Sequence, residues 1–89
     1  MTEQKGEIYL VFREIAPGIV KEFRRGILAK INEARISVAG GVELVGHTVV
    51  RVLLGQVLNE MQVLALRIKL AGVWECTVCM EQSEEIQAA

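Results

Sequence analysis

The stretch that decides the fold is "VELVGHTVVRVLLGQVLNE", residues 42–60. With a period of 3.6, its polar positions Glu43, His47, Arg51, Gly55 and Asn59 recur every four residues and form a stripe one residue wide. Most of the rest is apolar, including Leu44, Val45, Val49, Val50, Val52, Leu53, Leu54 and Leu58. The pattern predicts a helix over 42–60 that is covered on more than one side. A sheet would cover one side. A second copy of the chain would cover the other, through Val45, Val49, Val52, Leu53 and Gln56.

Upstream, "EIYLVFRE" (7–14) is rich in β-branched and aromatic residues and apolar on both faces, as in an interior strand. "APG" (16–18) ends it. From Ile19 to Ala34 the period becomes helical, with Ile19, Val20, Phe23, Ile27 and Ile31 on one side and Lys21, Arg25 and Asn32 opposite. Gly26 weakens that helix by about 1 kcal/mol relative to alanine. "ARISVAGG" (34–41) reads as a second strand that stops at Gly40 and Gly41. Downstream of the deciding stretch, "VLALRIKLA" (63–71) alternates strictly, and "WECTVCME" (74–81) alternates again after a short "AGV" turn. These two read as strands joined in a hairpin.

The expected fold is therefore α+β, in the order βαβαββ. It is a two-layer sandwich in which a mixed four-stranded sheet carries two helices on one face. The chain divides into a polar N-terminal extension (1–7), a single domain (8–82) and a frayed acidic tail (83–89). It has no run of about 18 apolar residues to span a membrane, and its polar start lacks a signal-peptide core. A cytoplasmic protein is expected. The net charge of −1 hides a mildly basic body and an acidic C-terminal end, a balance that permits a polyanionic partner without demanding one.

The order of elements, with "EARISVAGGVELVGHTVVRVLLGQVLNEMQVLALRIKL" (33–70) as its best local match, resembles the Alba family of small archaeal and eukaryotic DNA- and RNA-binding proteins. The resemblance implies a homodimer that contacts DNA or RNA phosphates with little sequence specificity, as chromatin-associated proteins do. Arg13, Lys21, Arg24, Arg25 and Arg35 would supply the phosphate contacts. Gly40 and Gly41 would offer bare backbone N–H groups at the start of the second helix. The chain departs from the family in the turn "REIAPG", which holds one arginine, in "AGGVE", which holds none, and in the short "AGV" hairpin. Those departures support an alternative: an interaction or assembly module that has lost nucleic-acid binding but can join a larger protein or ribonucleoprotein assembly.

Catalysis is not expected. The chain has no aspartate, and its one histidine, His47, has no second ligand at metal spacing. No cofactor or metal is expected. Tyr9 and Trp74 could stack bases, although two such residues in strands fit packing better. The Cys-x-x-Cys pair, Cys76 and Cys79, would be a metal knuckle or a redox pair only in a loop or at a helix start. In a strand the two point to opposite faces, about 10 Å apart, too far for a disulfide.

Overall fold

The computed structural model describes residues 7–82, so most of the predicted N-terminal extension and the whole acidic tail lie outside the described residues. The elements are β1 (Ile8–Arg13), a 3₁₀ turn (Pro17–Ile19), α1 (Val20–Glu33), β2 (Val38–Gly46), β3 (Val49–Leu54), α2 (Glu60–Leu70) and β4 (Thr77–Gln82). The four strands form one sheet in the order β2-β3-β1-β4, every neighbouring pair antiparallel. The class is α+β with four strands and two helices, as expected. The order is βαββαβ rather than βαβαββ, and the sheet is antiparallel rather than mixed. This is the split βαβ, or ferredoxin-like, topology, which by itself carries no function.

Both corrections originate in residues 42–60. Up to Leu54 the stretch is a hairpin whose turn is His47–Thr48, not a helix, and only Glu60 at its end is helical. Glu43 and Arg51 recur at helical spacing because they are cross-strand partners placed symmetrically about that turn. Along β3 burial alternates, with Val50, Val52 and Leu54 inward and Val49, Arg51 and Leu53 outward. Valines in such numbers are stiff at χ1 and pack well on a pleated surface, so the two-residue period prevails over the four-residue one. β2 runs through Gly40 and Gly41 rather than stopping there, with an irregularity between Val38 and Val42.

The second exchange follows from the first. Residues 63–71, expected as a strand, lie in α2 apart from Ala71. Asn59 caps this helix: its side chain accepts from the Gln62 N–H at 2.9 Å, and the Gln62 side chain accepts from the Asn59 N–H at 3.0 Å. This reciprocal capping box satisfies two backbone donors that the helix cannot. A last strand follows, but β4 is Thr77–Gln82 rather than 74–81. Trp74, Glu75 and Cys76 precede it, so only Cys79 of the two cysteines lies in the strand. The strand pairs with β1 instead of with the preceding segment. The first and last strands therefore lie side by side, with Ile8 opposite Gln82.

α1 matches expectation and ends in a left-handed residue. Arg35 has φ 60°, its N–H donates to Asn32 O, and the Ile36 N–H donates to Ile31 O. This is a Schellman cap with arginine where glycine is usual. Both helices cover the same face of the sheet. Phe23, Ile27 and Ile31 of α1 and Leu66 and Leu70 of α2 are buried against Leu10, Phe12, Val50, Val52 and Val78. No helix among the described residues is long and apolar enough to cross a membrane.

Gly26 has a packing role that composition did not suggest. The Trp74 indole sits over it and against Phe23, with ring centroids 5.1 Å apart. A β-carbon at residue 26 would lie 2.6 Å from Trp74 Cη2 and 3.1 Å from Cζ2. Gly26→Ala should therefore destabilise the protein by about 1–3 kcal/mol through overpacking, despite alanine's better helix propensity. Thermal unfolding checks this, and the emission of the single tryptophan should shift red as the indole is displaced. A higher Tm would contradict the packing account.

Candidate functional site

The helices leave one face of the sheet uncovered. On it, Arg51 of β3 makes a two-pronged ion pair with Glu43 of β2, at 2.8 and 3.3 Å. The same guanidinium lies 4.2 Å from the centre of the Tyr9 ring, and the Tyr9 hydroxyl donates to Glu7 Oε1 at 2.8 Å. Farther along, Arg13 reaches past Cys79 to Glu81. These hydrogen-bonded arginines hold the Glu43 and Glu81 carboxyls below the ordinary carboxylate range. The face is thus neutralised in place. Its one aromatic, Tyr9, already has a guanidinium over the ring, a poor start for stacking a base.

Cys79 lies on this face between Arg13 and Glu81, and Cys76 packs toward the core. Both are free. Burial raises the pKa of both thiols, and the hydrogen bond from Cys79 to Glu81 adds to the rise. Neither is an activated thiolate. Among the described residues no group of three His, Cys, Asp or Glu side chains could hold a metal ion.

The remaining expected contacts scatter. Lys21, Arg24 and Arg25 do come together, lining a shallow depression with Val42 beside the β2 edge. None of the three has a carboxylate partner among the described residues. Arg35 sits at the opposite end of α1, roughly 20 Å away at 1.5 Å per residue. Gly40 and Gly41 lie within a strand, so no helix start presents their N–H groups. The five residues expected to form a dimer face do not share one. Val52 is 0% exposed in the core, Val49 and Leu53 lie on the open sheet face, and Val45 borders the same depression as Tyr9 and Arg51. The Gln56 side chain accepts from the Ser37 N–H at 3.0 Å. His47 is exposed at the hairpin tip.

What the sequence concealed is α2. Its inner side is Leu66 and Leu70, yet Met61, Leu64 and Ile68 on the outer side are 73%, 50% and 66% exposed. Met80 of β4 lines an open groove with Leu64 and Arg67 alongside. The detectable signal was "NEMQ" (59–62), a capping-box pattern that starts a helix where alternation suggested a strand.

Compared with protein-family models, with curated proteins and with solved structures, the chain matches none.

The carboxylate pairs set a pH dependence. A carboxyl whose pKa is lower in the folded than in the unfolded state adds stability above its unfolded value, near 4.5, and loses it as pH falls through the folded value. The Tm should therefore decline between about pH 5 and pH 3. Glu43→Gln together with Glu81→Gln should flatten that acid limb. An unchanged limb would mean that the two pairs contribute nothing in solution.

Proposed function

We propose that this chain is a non-enzymatic assembly module, a small scaffold that holds the outer face of α2 toward a protein partner. One observation carries this reading. Three large apolar side chains, Met61, Leu64 and Ile68, stand bare on a helix whose opposite side is already in the core. With each offering on the order of 100 Å², and with Met80 in the same groove as Leu64, the patch reaches the size of a functional surface. The open sheet face is a weaker candidate, because its arginines and glutamates are already paired with each other. Replacing Met61, Leu64 and Ile68 by Ser, Gln and Ser should leave the circular dichroism spectrum intact and the Tm within a few degrees. The same variant should abolish association measured by light scattering. Association undiminished in that variant overturns the proposal.

Lys21, Arg24 and Arg25 favour a second reading, non-specific contact with DNA or RNA phosphates. Three cations with no carboxylate partner among the described residues, on one helix face beside an open strand edge, make a compact electrostatic footprint. If it operates, affinity for a mixed-sequence duplex or RNA should fall steeply with salt, with a log–log slope of about −2 to −3 for three contacts. Arg24→Glu with Arg25→Glu should weaken it further. No binding at low salt rejects this reading and leaves the first untouched.

A further inference from the structure

We infer that the partner of α2 is a second copy of this chain, docked helix to helix in antiparallel orientation about a two-fold axis. The inference rests on the assembly reading above and names its partner.

The charges beside the apolar stripe select that occupant. Met61, Leu64 and Ile68 follow the 3–4 spacing of a helix-pairing seam. Glu60 and Arg67 are seven residues apart, so they lie on one flank of the seam, two turns from each other. On the other flank Lys69 is already held by Glu33 of α1 at 3.8 Å. Glu60 has no cationic partner among the described residues. Arg67 donates to the Val78 carbonyl at 2.9 Å, which leaves its other N–H groups free.

An antiparallel two-fold pair brings the same flank of both helices together. Glu60 then faces the partner's Arg67, and symmetry makes the contact twice. In this register Met61 packs on the partner's Leu64, and Ile68 falls toward the partner's Val57, a residue 65% exposed just before the helix. Sliding the helices by one heptad would set Arg67 against the partner's Arg67. A parallel pair would place Glu60 near the partner's Ala65, with no charge to meet. One register alone satisfies both the apolar and the charged residues.

Strand-edge pairing is the competing way to make a dimer from such a fold. Arg67 obstructs it on the β4 side, because its guanidinium already occupies an outward carbonyl of that edge strand.

The test uses sedimentation equilibrium on the full chain. The wild type should be a dimer at micromolar concentration. Leu64→Glu should be monomeric with an unchanged circular dichroism spectrum. Glu60→Arg alone and Arg67→Glu alone should each weaken self-association about tenfold or more, because each sets like charges face to face twice. An equimolar mixture of the two should recover association as a heterodimer, in which every facing pair is again of opposite sign. That recovery does not depend on the Arg67 contact to Val78, since Arg67→Glu has lost it in both samples. A monomeric wild type at about 100 µM overturns the inference, as does a mixture no tighter than the single variants. If the wild type is monomeric but the Met61, Leu64 and Ile68 face still binds a different protein, self-pairing is refuted while the assembly reading stands.

Discussion

The alternation of side chains along Val49–Leu54 is the constraint on which the rest of the structure depends. Val50, Val52 and Leu54 must face the helices, because β3 lies inside the sheet, between β2 and β1, and a slip of one residue would put Arg51 into the core. Once that register holds, residues 38–54 can only be a hairpin, and the chain leaves it with a sheet half covered. The following segment then supplies the second covering helix, whose Leu66 and Leu70 complete the core beside α1. α2 exists because β3 is a strand.

The same dependence explains what was legible in the sequence. β1, α1 and, apart from the expected residues 74–76, β4 could be read because each has a single period and local punctuation: two apolar faces in a short run, a 3.6-residue stripe after Pro17, alternation in "WECTVCME". The class and the strand and helix counts followed from these. The order did not, because residues 42–60 satisfy two periods at once. The hairpin places Glu43 and Arg51 four positions either side of His47, the spacing a helix would show. Residues 63–70 are the mirror case, where alternating leucines and isoleucine suggest one apolar face that a helix in fact divides between two sides. Those two misread segments exchanged identities, which turned the expected order βαβαββ into βαββαβ.

The candidate site was less legible than the fold for a related reason. Composition showed an apolar excess, and the structure leaves Met61, Leu64 and Ile68 of α2 exposed, outside the 45–56 stretch from which a dimer face was expected. Basic residues were visible, but their neutralisation was not. Nothing local links Arg13 to Glu81, sixty-eight positions apart, or reveals that Arg51 lies over Tyr9. Among the described residues Lys21, Arg24, Arg25 and the distant Arg35 have no carboxylate partner, and of these the first three lie together.

The pairing of β1 with β4 has a consequence for how the molecule is made. The first strand in the chain is the third across the sheet and borders the last strand to appear. Until residues 77–82 are available, β1 has one unpaired edge, and Phe12 lacks the cover of Val78. Sheet completion therefore waits for contacts between the two ends of the sequence, the kind whose loop-closure entropy slows folding. A chain shortened before β4 would lose more than an edge strand: it would expose the backbone of a strand with three buried apolar residues, its hydrogen-bonding groups open to any extended segment nearby.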